Sequence, residues 1–78
     1  MAEERVEIYP GVTVDRKVQG GQPVIKGTRL PITTVLRQLA AGVGFEEICE
    51  QYGLTTEEIR AALGYAATTL SQETVWAL

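Results

Sequence analysis

The 78-residue chain contains no histidine and only one cysteine, Cys49. Without histidine it cannot build a Ser–His or Cys–His catalytic pair, and a common ligand of zinc and iron is missing. One cysteine excludes a disulfide within the chain and fits a reducing cytoplasm. Because Cys49 falls on an apolar helical stripe, we predict a buried structural thiol and not a nucleophile. We therefore expect no enzyme, no metal site and no cofactor.

Long apolar runs and a secretory signal are also missing. No run approaches the roughly 20 apolar residues of a membrane-spanning helix. The start, "MAEERVEIYPG", is acidic and has no basic region followed by an apolar one, so we expect a cytoplasmic protein. A single domain of this size buries only about 60% of the surface of its unfolded chain. We therefore expect it to associate with itself or with a partner.

Charge is unevenly distributed behind the net value of −3. Residues 1–10 carry a balance of −2, residues 11–40 a balance of +4, and residues 41–78 a balance of −5. A basic front and an acidic back favour different partners, or favour each other across a dimer, although two solvated faces would give the same pattern. The cations of the basic segment are Arg16, Lys17, Lys26, Arg29 and Arg37.

Residues 1–30 are predicted to form an extended arm or β ribbon and a hinge. Residues 12–14 and 23–25 have β-branched character, and Gly20-Gly21 between them indicates a turn. These segments are too short to form a stable sheet alone. We expect the missing pairing partner to be a second copy of the chain, which predicts a homodimer with crossing arms.

A helical period begins at Pro31 and predicts a three-helix core over residues 31–70. One apolar stripe starts at Ile32, with Gly42 at its exit, and a second starts at Phe45 and ends at Gly53. The string "TTEE" at residues 55–58 is typical of a capping box that opens a third helix. Residues 71–78 form a tail that extends this helix or lies beside it. The fold class is mainly α, with a short N-terminal β arm.

The corner between the second and third helices is typical of a helix-turn-helix, because only Gly53-Leu54 and the cap Thr55 join them. A plain three-helix bundle with a tight corner is the alternative. As a DNA reader the unit would use Thr55, Thr56 and Arg60, with Arg37 adding charge. However, Glu57 and Glu58 oppose phosphate binding at the same helix start.

Two glycine-containing stretches have alternative interpretations. The string "GQPVIKGTRL" lacks the spacing of a phosphate-binding loop, since Lys26 precedes Gly27. In the third helix, Gly64 shares a side with Ala61 and Thr68, which indicates close approach by another backbone, either within the chain or in a homodimer.

The strings "GGQPVIKGTRLPI", "LAAG" and "AALGYA" resemble a small prokaryotic family, domain of unknown function 433. The resemblance covers residues 12–67. It implies a homeodomain-like helix-turn-helix core, a dimer, and a role as an antitoxin of VapB type whose partner is a toxin with a PIN-like nuclease domain. Promoter DNA would be a second partner. It also suggests that residues 27–31 form the hinge, with Arg29 held by backbone carbonyls or a carboxylate.

The basic arm is the predicted toxin contact. PIN-like nucleases hold Mg²⁺ with clustered carboxylates, and cations are suited to such an acidic cleft. We expect Arg16, Lys17 and Lys26 to bind the toxin, with Arg29 as a weaker candidate if the hinge holds it. The alternative function is a protein-interaction module of the same fold that binds no DNA.

Overall fold

The structure, a computed structural model, describes residues 5–74 as three helices and a small antiparallel sheet. The strands are β1 (Val6–Tyr9), β2 (Val12–Val14) and β3 (Val24–Ile25), in the order β1-β2-β3, with a 3₁₀ turn at Gln19–Gly21. The helices are α1 (Ile32–Ala40), α2 (Phe45–Tyr52) and α3 (Thr56–Thr74). None of the helices within the described range is long and apolar enough to cross a membrane.

The expectation of an extended arm that pairs with a second copy is wrong. The missing strand is β1 of the same chain, which pairs with β2 from Val6↔Val14 to Tyr9↔Val12, with an irregularity between Glu7 and Tyr9. The hairpin turns at Pro10 and Gly11, and Gly11 has a φ of 91°, in the left-handed region that favours glycine. The sheet therefore completes itself within one chain.

The three predicted helices are confirmed. Pro31 precedes α1, where its fixed φ suits a helix entrance, and α2 ends at Gly53 with a φ of 69°. The capping box is formed, since the amide of Glu58 donates to Thr55 Oγ1 at 3.2 Å and the amide of Thr55 donates to Glu58 Oε1 at 2.9 Å. Helix α3 continues to Thr74 and thus includes the first four residues of the predicted tail. Residues 75–78 lie outside the described range.

One apolar core joins the sheet to all three helices. It draws on β2 and β3 from the sheet, and on α1, α2 and α3. Leu54 and Ile59 are buried at the α2–α3 corner. Cys49 is half-buried against the core instead of fully buried, and it forms no disulfide. The buried members of the cluster are Val12, Ile25, Ile32, Val35, Ile48, Leu54, Ile59 and Ala62.

The β1–β2 hairpin lies directly on α3. A Cβ atom at Gly64 would overlap the hydroxyl end of Tyr9, and a Cβ at Gly11 would lie 2.8 Å from the Cβ of Ala61. The Tyr9 ring also meets Tyr65 edge to face, with 6.0 Å between the ring centroids. The predicted close approach to Gly64 is therefore made within the chain, by the segment expected to reach a second copy.

The hinge into α1 is held by Thr28 and not by Arg29. The Thr28 hydroxyl donates to the carbonyl of Ile25 at 2.8 Å and accepts from the amide of Leu30 at 3.0 Å. The amide of Ile25 in turn donates to the Leu30 carbonyl at 3.0 Å. The expectation that Arg29 is anchored is wrong. Its side chain is exposed, and within residues 5–74 it makes no hydrogen bond or ion pair.

The contact between Tyr9 and Gly64 predicts a coupling between two substitutions. In a Tyr9→Ala background, Gly64→Ala should stabilise the protein by about 1 kcal/mol, because alanine is the better helix former. In the parent this gain should be lost, because the added methyl group overlaps the Tyr9 ring. Urea unfolding followed by circular dichroism measures both changes. As a control, Thr68→Ala on the same helix is exposed and should have the same effect in both backgrounds. Equal effects of Gly64→Ala would contradict the contact.

The hydroxyl of Thr28 predicts a second stability difference. Thr28→Val keeps the shape of the side chain but leaves the Leu30 amide without its acceptor, so it should cost about 1–2 kcal/mol in urea unfolding. Thr28→Ser keeps both hydrogen bonds and should cost less. If the two variants unfold at the same urea concentration, the hydroxyl does not hold the hinge.

Candidate partner-binding surface

Arg16 and Lys17 lie at the tip of a turn that follows β2. The carboxylate of Asp15 accepts the amide of Lys17 at 2.9 Å, and the carbonyl of Asp15 accepts the amide of Val18 at 2.8 Å. Asp15 thus closes the turn with both its side chain and its backbone. Arg16 and Lys17 are exposed, whereas Val18 is buried and anchors the far side of the turn. The sequence therefore builds a fixed basic tip, which we call the 16–17 turn.

A further cation of this turn region, the half-buried Arg5, is already paired with a carboxylate. Arg5 Nε lies 3.8 Å from Asp15 Oδ2, so the Asp15 carboxylate that orders the turn is also paired with a cation. Within residues 5–74, the Arg16 guanidinium has no hydrogen bond or ion pair. Arg16 is therefore the guanidinium of this tip that can bind an anion without first leaving a partner.

Lys26 and Arg29 lie in the loop between β3 and α1, and their side chains have different surroundings. Lys26 Nζ is 3.1 Å from Glu7 Oε1, and its amide donates to the carbonyl of Gly11 at 2.9 Å. Arg29 projects from the hinge that Thr28 holds. Because the charge of Lys26 is compensated inside the chain, Arg29 is the better placed of the two to bind an acidic partner.

Glu7 fixes both the hairpin turn and Lys26. Its Oε2 accepts the amide of Gly11 at 2.9 Å. This hydrogen bond, together with the ammonium group of Lys26, lowers the pKa of the Glu7 carboxyl below its usual value. Glu7 therefore remains ionised and paired with Lys26 under neutral conditions. The pair is exposed, so it serves positioning more than stability.

The four predicted toxin-binding cations do not form one cluster. In the β2–β3 pair, Val12 faces Ile25 and Thr13 faces Val24. The end of β2, which leads to the 16–17 turn, therefore lies at the opposite end of the sheet from the β3–α1 loop. The strands between these ends span roughly 10 Å. Sequence position alone could not reveal this separation, because it depends on the antiparallel pairing.

The predicted DNA-binding residues lie on two helices. Thr55, Thr56 and Arg60 are exposed at the start of α3, and Arg37 is exposed in the last turn of α1. The Thr55 hydroxyl is engaged in the capping box. Arg37 lies in the last turn of α1, where a positive charge interacts favourably with the negative end of the helix dipole. The first turn of α3 is thus open to solvent, and Glu57 shares it.

Further along α3, the hairpin covers residues that a recognition helix would present. A recognition helix presents residues of its first turns to the DNA groove, and in α3 these would include Ala61 and Gly64. Instead Ala61 is half-buried against Gly11, and the ring of Tyr9 lies over Gly64. A DNA contact at the exposed first turn of α3 therefore could not continue across Ala61 and Gly64. For the part of the chain that is described, no three metal-ligating side chains come together.

Comparison with known proteins places the chain among sequences that share most of its length. The family model described as "Protein of unknown function (DUF433)" matches residues 12–66. "Uncharacterized protein y4eO" of Sinorhizobium fredii is 41% identical over 56 residues, which are 70% of this chain and 25% of that protein. "Putative antitoxin VapB45" of Mycobacterium tuberculosis is 36% identical over 52 residues, 67% of this chain and 22% of that protein. The chain thus spans about a quarter of each relative.

Two crystal structures share the fold. A DUF433 member protein from Anabaena variabilis superposes with a TM-score of 0.72 at 32% identity, covering 80% of this chain and 62% of that one. Rv2018 from Mycobacterium tuberculosis superposes with a TM-score of 0.68 at 31% identity, covering 77% of this chain and 30% of that one. The arrangement of sheet and helices described above therefore recurs in experimentally solved relatives.

Proposed function

Because the chain belongs to the DUF433 family of proteins of unknown function, we propose that it acts as an antitoxin that binds and restrains a nuclease-type toxin. The observation that carries the proposal is the 36% identity to a protein named as a putative antitoxin, over 67% of this chain. The role is binding, not catalysis. The partner proposed here is a toxin with a PIN-like domain and an acidic, metal-holding cleft.

The physical basis for this partner is charge. Carboxylates gathered to hold Mg²⁺ repel one another when the metal is absent, and a guanidinium can bridge two of them. The acidic helix starts, with Glu46 and Glu47 on α2 and Glu57 on α3, would be repelled by such a cleft. The 16–17 turn carries two adjacent exposed cations on a fixed loop, so it fits the cleft best.

Arg29 takes the place of Lys26 as the second contact. Its side chain is exposed on a hinge that hydrogen bonds already hold, so little backbone freedom is lost on binding. Since Arg16 and Arg29 lie at opposite ends of the sheet, one narrow cleft cannot take both. We propose the 16–17 turn as the cleft contact and Arg29 as a contact at its rim.

We also propose that two copies of the chain associate. The crossing arms that motivated this expectation are not present, since β1 completes the sheet within one chain. The support that remains is the small size of the domain and its exposed apolar side chains, which include Val6, Ile8 and Leu70. Self-association would cover part of this surface.

Promoter binding is a second candidate function, and the open first turn of α3 favours it. Thr55, Thr56 and Arg60 are exposed there, and the three-residue corner between α2 and α3 suits a helix-turn-helix. The hairpin over Ala61 and Gly64 limits how far such a contact could extend along α3. The same cover favours the alternative, an interaction module that binds no DNA.

The toxin proposal predicts that charge reversal at the 16–17 turn impairs neutralisation. The PIN-like nucleases of the source genome are expressed one at a time with this chain, and growth and complex formation are measured. The parent should relieve the toxicity of one nuclease and bind it. Arg16→Glu/Lys17→Glu should weaken that binding at least ~100-fold, since two attractive contacts become repulsive.

A matched control changes net charge equally at another place. Arg37→Glu/Arg60→Glu also reverses two cations, but on helices outside the turn. It should bind the nuclease as the parent does, and both variants should keep the parental circular dichroism spectrum. If the two double reversals weaken nuclease binding equally, the effect comes from net charge and not from the position of the cations. Full binding by Arg16→Glu/Lys17→Glu would remove the 16–17 turn from the contact.

Promoter binding predicts weak, salt-sensitive association with the DNA upstream of the gene. Few phosphate contacts are available, so a gel shift should be visible at about 50 mM salt and lost near 200 mM. Arg37→Glu/Arg60→Glu should abolish the shift, whereas Arg16→Glu/Lys17→Glu should retain part of it. If no shift occurs at low salt, the chain is an interaction module without DNA binding.

A further inference from the structure

An apolar groove of about 270 Å³ lies between the start of α1 and the C-terminal half of α3. Its walls include Pro23, Ile32 and Leu36 on one side and Tyr65, Ala66 and Leu70 on the other. None of the residues that line it is charged. The groove uses residues from three separated parts of the sequence, and neither proposed function above employs it.

Leu70 stands at the edge of this groove with 60% of its surface exposed. A contiguous apolar patch that stays exposed on a small domain is typical of an interaction site, and Leu70 and the uncharged groove together form such a patch. Leu70 is therefore an exposed apolar side chain at the rim of a groove that has room for a leucine side chain.

We propose that this face binds the same face of a second copy, with Leu70 of each chain inserted into the groove of the other. A protrusion and a recess on one face are what a closed, two-fold symmetric pair requires, because each copy supplies both. This inference rests on the self-association proposed above and names the surface responsible. The partner copy supplies the side chain that fills the groove.

Charge favours a second copy over other occupants. Each chain has a net charge of −3, so two copies approach most easily through a surface without charge. The groove meets that condition, since all its lining residues are neutral. An acidic nuclease, in contrast, is attracted by Arg16, Lys17 and Arg29, none of which lines the groove.

The dissociation constant of the parent and of two matched variants tests the proposal. Sedimentation equilibrium of the full chain should give a dimer at tens of micromolar. Leu70→Lys should raise the dissociation constant roughly 100-fold or more, because two buried leucines are lost from each dimer. The control is Val6→Lys on β1, where Val6 is 57% exposed and comparable with Leu70. It should leave the dissociation constant unchanged.

Complementation identifies the protrusion and the recess directly. Leu70→Glu places a carboxylate on the protrusion, and Thr33→Lys places an ammonium group in the groove. Each variant alone should be monomeric. Their mixture should form a heterodimer, since one contact then pairs Glu with Lys and the other is the parental contact. Both positions are solvent-exposed, so each variant should keep its helical circular dichroism spectrum.

Several outcomes would overturn the proposal. A dimer that persists in Leu70→Lys but dissociates in Val6→Lys would assign the interface to the edge of β1 and leave self-association intact. If the mixture forms no heterodimer, Leu70 of one copy does not insert into the groove of the other. A monomeric parent would refute the proposed dimer. If Leu70→Lys then shifts the fluorescence emission of Trp76, the chain's only tryptophan, the chain's own tail fills the groove instead.

Discussion

The packing of the β1–β2 hairpin on α3 is the contact on which the rest of the structure depends. It is possible because two glycines lack a Cβ atom. Gly64 leaves room on α3 for the ring of Tyr9, and Gly11 lets the hairpin turn approach Ala61. Once the hairpin is there, β2 and β3 bring Val12 and Ile25 into the helical core. The sheet, too short to be stable alone, gains its stability from that burial.

The same contact determines which surfaces are left for partners. It covers Ala61 and Gly64 in the middle of α3, next to the exposed first turn, so α3 is poorly presented as a DNA-reading helix. It also fixes the sheet, whose two ends present the 16–17 turn and the loop with Arg29. The backbone of both loops is already held by hydrogen bonds, so a partner that binds them would not need to order it.

The helices could be predicted from the sequence because their signals are local. The apolar period, the capping box at Thr55 and the glycine that ends α2 each act within a few residues. Strand β1 is harder to predict because its alternation covers only four residues, none of which is fully buried. The alternation from Val6 to Tyr9, followed by the turn signal Pro10-Gly11, could have revealed it.

The surface was harder to predict than the fold, because it depends on pairing between distant residues. Arg16 and Lys26 are ten positions apart, yet antiparallel pairing places them at opposite ends of the sheet. Lys26 meets Glu7, which lies in the strand that was missed. The groove at Leu70 is lined by Pro23, by residues of α1 and by residues of α3. These segments are far apart in the sequence, so no sequence motif indicates the groove.

The central claim is that the N-terminal hairpin packs on α3 of its own chain. A half-filtered nuclear Overhauser experiment on a mixture of isotope-labelled and unlabelled chains tests it most directly. We predict cross-peaks between the Tyr9 ring and Gly64 within one chain and none between chains. Cross-peaks between these residues on different chains would show that the hairpin crosses to a partner, and would contradict the account.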